Sequence, residues 1–193
     1  MPRARARSRE HPWVLGVDGL LYGTTVRGGE HDSGTIFRMT LTGQVTTLHS
    51  FPGGEGSGAP LSLGPDGALY GTTPFGGSGG GGTIFQLTPA GERITVHELV
   101  REDEQIGSAL PIDQLTVAPD GTLFGVTQHG FEYRPTVYRV TPSGTYTQLL
   151  SFAREPSGMI PSALTLDAAG RLYGTLSDGG LERAGSIFRI DPP

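Results

Sequence analysis

One short pattern recurs four times along this chain and fixes the kind of structure it can build. Leu21-Tyr22-Gly23-Thr24-Thr25 returns as Leu69-Tyr70-Gly71-Thr72-Thr73, as Leu123-Phe124-Gly125-Val126-Thr127 and as Leu172-Tyr173-Gly174-Thr175-Leu176. A second motif follows each copy: Gly34-Thr35-Ile36-Phe37, Gly82-Thr83-Ile84-Phe85, Pro135-Thr136-Val137-Tyr138 and Gly185-Ser186-Ile187-Phe188. A period of about 50 residues marks an array of supersecondary units, each too small to bury its own apolar surface. The fold must therefore come from stacking neighbours.

The second unit shows what one repeat is. Leu61-Ser62-Leu63 is a short apolar segment stopped by Gly64-Pro65-Asp66-Gly67. In such a tight turn Pro sets one φ and Gly supplies the positive one. Ala68 to Thr73 is rich in strand formers, a glycine-rich loop follows at Pro74–Gly81, and Thr83–Thr88 and Arg93–Leu99 flank a second turn at Pro89-Ala90-Gly91. Four strands, a to d, form an antiparallel meander of the size of one propeller blade. No segment carries sustained 3.6-residue periodicity, so almost no helix is expected. The expected fold is all-β: a β-propeller-like array of four blades over residues 11–193, in units of about 11–51, 60–99, 111–152 and 161–193. In the last unit Asp191-Pro192-Pro193 aligns with the start of the c–d turn, so that blade is expected to lack its outer strand. An unpaired strand edge is a template for self-association, and the expectation is an incompletely closed ring or an assembly through that edge, as in a piece of a longer array.

Ten of the fifteen aromatic residues occupy three registers: Tyr22, Tyr70, Phe124 and Tyr173; Phe37, Phe85, Tyr138 and Phe188; Phe51 and Phe152. Side chains alternate along a strand, so each register marks equivalent sites on successive blades, where the rings pack between sheets. The glycine after each strand-b aromatic is expected to let the adjacent sheet approach.

Composition narrows the function. All fourteen basic residues are Arg, with no Lys, Asn or Cys, so neither disulfides, thiolate metal sites nor N-glycosylation sequons exist. Arg3, Arg5, Arg7 and Arg9 crowd a start (1–10) expected to be disordered, and from residue 11 ten Arg face eighteen acidic residues. An acidic body argues against nucleic-acid binding. No apolar run reaches a membrane span, and the basic start lacks the apolar core of a secretory signal.

Assembled across the units, the consensus runs Asp-Gly-x-Leu-Tyr-Gly-Thr-Thr, then Gly-Gly, then Gly-Thr-Ile-Phe-x-x-Thr-x-x-Gly, then Thr-x-Leu-His-Ser-Phe. It resembles the GloVer tandem repeat of bacterial choice-of-anchor proteins over nearly the whole chain from about His11. The likeness is strongest at Asp18–Thr25, Gly34–Phe51 and Asp66–Thr88. The resemblance implies large exported proteins with many repeats and a C-terminal anchor, hence an extracellular or cell-surface location, and it implies no established activity. This chain departs from the pattern in showing neither export signal nor anchor.

In a propeller the tight a–b and c–d turns share one face and the b–c and d–a connections the other. Here the second set is longer: Val26–Ser33, Pro74–Gly81, Gln128–Arg134 and Ser177–Ala184 for b–c, and about Pro52–Ala59, Val100–Leu110 and Ala153–Ile160 for d–a. Loops on a rigid scaffold are where binding groups concentrate. The candidate ligand-binding residues are Arg27, His31, Asp32, Phe75, His129, Phe131, Tyr133, Arg134 and Arg183. Rings beside Arg and His suit a glycan or peptide; the competing reading is that these rings cap the inter-blade core. The Gly76–Gly82 run matches a GxSxG pattern at Ser78, but a nucleophile elbow needs a following helix and a strand is expected instead. His49 and His97 share a register that Leu150 occupies in the third unit, and Glu30-His31-Asp32 has no second His or Cys at useful spacing, so no metal or other cofactor is expected. Two functions remain: a non-catalytic binding or surface-display module, and a propeller-type lyase or lactonase with its site at the central channel. The strand-a segments, which should line that channel, offer few acids and no His, which favours the binding module.

Overall fold

In a computed structural model the chain forms four antiparallel sheets in sequence order, with no helix among the described residues. The structure describes residues 13–56, 59–100, 111, 114–128, 135–152, 161–162, 164–177 and 185–191. The expected disordered start lies outside them. Blade 1 comprises β1 (Val14–Leu15), β2 (Leu21–Thr25), β3 (Thr35–Met39) and β4 (Val45–Ser50). Blade 2 comprises β5 (Ser62–Leu63), β6 (Leu69–Thr73), β7 (Gly80–Leu87) and β8 (Arg93–Val100). Blade 3 comprises β9 (Thr116–Val117), β10 (Leu123–Thr127), β11 (Thr136–Val140) and β12 (Tyr146–Ser151). Blade 4 has β13 (Thr165–Leu166), β14 (Leu172–Leu176) and β15 (Ser186–Ile190), so β15 is an edge strand among the described residues.

The turns close as their sequences dictate. Gly19, Gly67, Gly121 and Gly170 all adopt positive φ at the a–b turns, where a side chain would be strained. The glycine-rich run before Thr83 departs from expectation, because β7 begins at Gly80 inside the predicted loop. A Cβ on Gly81 would stand 2.2 Å from the Leu99 carbonyl oxygen. Only glycine lets that backbone lie flat against β8.

Three inter-blade cores hold the sheets together. Tyr22, Ile36 and Phe51 of blade 1 meet Leu61, Leu69, Phe85 and Leu87 of blade 2. Tyr70 and Ile84 meet Leu115, Leu123, Tyr138 and Val140 of blade 3. Val126, Val137 and Phe152 meet Leu164 and Leu172 of blade 4. Of the aromatic registers, Tyr22, Tyr70, Phe85, Tyr138, Phe51 and Phe152 are buried core positions as expected, Phe124 and Phe188 pack against a core while partly exposed, and Phe37 and Tyr173 are half-buried outside the three cores. Beside each core a β-bulge recurs at one place, between Ile36 and Phe37, Ile84 and Phe85, and Val137 and Tyr138. The extra residue on the outer strand is Leu48, Val96 or Leu149, and each packs against its core. Inner strands are fastened directly: Ser62 Oγ donates to the Leu115 carbonyl (2.5 Å), Gln114 Nε2 to that of Leu61 (2.9 Å) and Thr116 Oγ1 to that of Leu164 (2.5 Å).

The glycine after each strand-b aromatic has a different purpose from the expected one. A Cβ on Gly71 would lie 2.6 Å from Phe85 Cζ and 3.0 Å from Leu61 Cδ2, both within blade 2. Gly23, Gly125 and Gly174 are covered in the same way by Phe37, Tyr138 and Phe188. The missing side chain admits the ring of the neighbouring strand in the same sheet, not the next sheet. Because Phe85 and Leu61 are fully buried, neither can yield cheaply. Gly71→Ala is therefore expected to cost about 1–3 kcal/mol by overpacking. A thermal melt indistinguishable from wild type would refute this account of the register.

Candidate functional site

Each of the first three b–c loops is pinched at its neck by a threonine pair: Thr25 with Thr35 (2.9 Å), Thr73 with Thr83 (2.9 Å) and Thr127 with Thr136 (2.6 Å). In the first two loops the Thr25 and Thr73 hydroxyls also donate to the Arg27 and Phe75 carbonyls (2.8 and 2.7 Å), so these loops leave a fixed base. In the first loop Arg27 and His31 are exposed. Asp32 turns inward on its own loop: it has positive φ, and its Oδ1 accepts from the Gly28 amide at 2.8 Å. Its carboxylate is a loop cap. His129, Phe131, Tyr133, Arg134 and Arg183 lie outside the described residues.

Among the described residues Phe75 is the loop ring that stands out to solvent, 46% exposed. Its backbone is anchored at both ends, with Thr73 Oγ1 donating to its carbonyl (2.7 Å) and its amide donating to the Glu55 carbonyl (3.1 Å). Glu55 continues the anchor, since its carboxylate meets Arg93 Nη2 at 3.0 Å with both side chains largely buried. Arg93 in turn lies over the rings of Phe85 (5.0 Å) and Phe51 (5.7 Å) and donates to Thr83 Oγ1 (2.9 Å). An exposed ring is thereby tied through an ion pair to the core between blades 1 and 2. His49 sits beside this pair, and burial together with the Arg93 charge pushes its imidazole below the ordinary range. No contact joins Arg27 or His31 to Phe75 among the described residues.

Elsewhere on this face Ser78 shows no sign of a nucleophile. Its amide donates to Glu98 Oε2 at 2.8 Å, its hydroxyl bonds the same oxygen, and strand β7 follows it. Those two bonds hold the Glu98 carboxyl below its usual range. Among the described residues no three or more His, Asp or Glu gather to hold a metal ion.

A second concave site lies on the tight-turn face, and the sequence pattern pointed away from it. In three blades the strand-b tyrosine donates its hydroxyl to an aspartate of the a–b turn: Tyr22 to Asp18 (2.7 Å), Tyr70 to Asp66 (2.9 Å) and Tyr173 to Asp167 (3.2 Å). Burial and the Asp66 bond push the Tyr70 phenol up to about 12. In blade 4 the acid has moved to the position of Gly16 and Gly64, the first residue after the inner strand, and still accepts from its tyrosine. There Asp167 also takes bonds from the Arg171 amide (2.9 Å) and Arg171 Nε (2.7 Å), which lower its carboxyl to about 2.

Blade 3 breaks this device. Phe124 has no hydroxyl, Asp120 is held by Thr122, whose amide donates to its Oδ1 (2.9 Å), and Arg139 Nε is buried without a hydrogen-bond partner. Beside them opens a cleft of about 370 Å³, walled by Phe124, Leu149, Leu166 and Leu172 and edged by Asp120 and Arg139. The corresponding gap between blades 1 and 2 holds only about 20 Å³. The signal was visible as Phe124 in a tyrosine register, but its meaning depends on where Asp120 and Arg139 stand in space. Ala118 accompanies the change: a Cβ on its counterpart Gly16 would be 2.7 Å from the Tyr22 ring.

A profile of the Gloeobacter/Verrucomicrobia repeat matches residues 4–135. No curated protein matches the sequence. Among solved structures the chain is similar to virginiamycin B lyase from Staphylococcus aureus, with 16% identity and a TM-score of 0.58 over 94% of this chain and 55% of that one. It is similar to a gluconolactonase from Xanthomonas campestris, with 18% identity and a TM-score of 0.55 over 94% of this chain and 56% of that one. A protein of unknown function from Dyadobacter fermentans gives 13% identity and a TM-score of 0.61 over 92% and 64%. At such identities the likeness shows the propeller-like fold, and the chain spans little more than half the length of the first two.

Two outcomes test the polar pairs. Restoring the missing pair with Ala118→Gly and Phe124→Tyr together should stabilise the chain by about 0.5–1.5 kcal/mol, more than the two single changes combined. Strict additivity in denaturant melts would contradict the coupling. Asp167→Asn should lower the melting temperature at pH 7. A depressed carboxyl contributes stability above its unfolded value of about 4, and that contribution is lost as pH falls toward its folded value. The gap from wild type should therefore close between pH 4 and about pH 2; a gap constant with pH would show that Asp167 acts by shape alone.

Proposed function

The chain belongs to the Gloeobacter/Verrucomicrobia repeat family, and from that premise we propose that it is a non-catalytic module for binding or surface display. Its ligand is a glycan or a short peptide held on the loop-rich face. The observation that carries this reading is Phe75, a large ring exposed on a loop whose backbone is tied at both ends and braced through Glu55 and Arg93. A rigid exposed aromatic suits stacking on a sugar face or a peptide side chain, because little entropy is lost on contact. Arg27, His31, His129, Phe131, Tyr133, Arg134 and Arg183 belong to the same set of b–c loops, with Asp32 shaping the first of them.

The lyase or lactonase reading draws on the names of the solved neighbours. Against it, Ser62, Gln114 and Thr116 of the inner segments spend their polar groups on fastening blades to one another. A second binding reading rests on the cleft between blades 3 and 4. Its apolar walls and the Arg139 guanidinium at its edge, whose Nε has no hydrogen-bond partner, suit a small amphipathic molecule carrying one acceptor group.

Glycan and peptide arrays probed with the chain test the main reading. A hit should lose at least ten-fold in affinity with Phe75→Ala, and likewise with Phe131→Ala and Tyr133→Ala together, while the melting temperature stays near wild type. A large fall in melting temperature would make the rings structural, and arrays without a hit would count against a glycan or peptide ligand.

A further inference from the structure

At the tight-turn rim of blades 1 and 2 three groups meet: a turn aspartate, the strand-b tyrosine and the strand-c residue paired directly across from it. In blade 2 the Tyr70 hydroxyl donates to Asp66 Oδ2 at 2.9 Å and accepts from Gln86 Nε2 at 3.0 Å. In blade 1 the Tyr22 hydroxyl donates to Asp18 Oδ2 at 2.7 Å, and the Arg38 guanidinium bonds it from across the strand pair. Blade 3 keeps the two outer members of this trio and changes the middle one. Asp120 stands in the turn and Arg139 pairs across from Phe124, whose ring carries no hydroxyl. The buried Nε of Arg139 is left without an acceptor.

The cleft of about 370 Å³ opens beside this altered trio, with Phe124, Leu149, Leu166 and Leu172 as walls and Asp120 and Arg139 at its edge. The other two acids that line it are already engaged, Asp167 by Arg171 and Tyr173, and Asp191 by Arg189. Asp120 is held by the amide and side chain of Thr122, but a carboxylate offers about four acceptor positions and can take a further donor. These charges select the ligand. An anion would answer Arg139 and be repelled by three carboxylates, while a cation would be repelled by Arg139 and give its Nε nothing to bond. A neutral hydroxyl serves both sides, donating to Asp120 and accepting from Arg139, as Tyr70 does between Asp66 and Gln86. A hydroxyl on an aromatic ring is a stronger donor to a carboxylate than an aliphatic one, and the ring matches the apolar walls. Resting on the cleft reading given above, we propose that this site binds a small phenol, with its ring among the four apolar walls and its hydroxyl between Asp120 and Arg139. The ligand supplies the tyrosine end that blade 3 does not carry. The volume suits a molecule of one or two rings, since small-molecule pockets run from roughly 300 to 1,000 Å³.

Titration of the isotope-labelled chain at pH 7 with para-propylphenol, propylbenzene and para-propylbenzoate, followed through the amide signals of Thr122, Phe124 and Leu172, tests the proposal. The phenol should bind about ten-fold more tightly than either of the others, the worth of a hydrogen bond to a charged group. Arg139→Met should remove that advantage while propylbenzene still binds. Phe124→Tyr together with Ala118→Gly puts a hydroxyl of the protein itself beside Asp120 and should abolish phenol binding; far-UV circular dichroism checks that each variant is folded. Propylbenzene binding as tightly as the phenol would overturn the phenol and leave the cleft a small-molecule site. The benzoate binding best would make Arg139 an anion contact and overturn the phenol in the same way. None of the three binding would overturn the cleft reading and the phenol together. Phenol binding that survives both folded variants, or that shifts only amides elsewhere, would also overturn the proposal.

Discussion

Three blades of this protein each depend on a residue they cannot cover themselves. Ile36, Ile84 and Val137 project from the third strand of their sheets and are buried in cores that the next blade completes, its inner-strand leucine among the residues that cover them. Full burial of such a side chain contributes about 1.5–3 kcal/mol, far more than a two-residue inner strand gains from its own pairing. The stability of each sheet therefore resides in its neighbours. Ordering along the arc follows: the middle blades have two partners, the outer ones a single partner in an isolated copy.

The features that surround this contact make sense as ways of keeping it closed. The recurrent bulge delivers Leu48, Val96 and Leu149 to the same cores. The glycines after the strand-b aromatics let Phe85 and its counterparts lie down across their own sheet, where they present a flat ring to the preceding blade. Phe51 against Phe85 and Phe152 against Phe188 are edge-to-face pairs formed in this way. At the rims the chemistry turns polar. Tyrosine–aspartate pairs close the tight-turn face and threonine pairs close the loop necks, so water meets hydrogen-bonded groups at both ends of each core. Where one such closure is missing, at Phe124, a cleft opens.

The architecture was legible because its signals are local and repeated. Pro-Asp-Gly turns, strand formers in period two and aromatics in register are each readable within about ten residues, and repetition turns weak signals into a firm one. What escaped depends on distances the chain does not encode locally. The strand start at Gly80 follows from the backbone of Leu99, nineteen residues on in sequence and 2.2 Å from where a Cβ on Gly81 would stand. The Glu55–Arg93 bridge behind Phe75 joins a loop to the next blade's outer strand. The bond from the Gly28 amide to Asp32 Oδ1, which shapes the first b–c loop, depends on a positive φ at Asp32 that the sequence does not announce.

Native-state hydrogen exchange on the monomeric chain tests most directly whether inter-blade burial, not the individual sheet, carries stability. Strand amides around Gly71–Thr73 and Val126–Tyr138, in blades with two partners, should exchange slowest and only with global unfolding. Those of β2 and β15 should exchange faster through local opening of an end blade. Equal protection across all four blades would contradict the account, because it would mean that each sheet is stable without the neighbour that covers it.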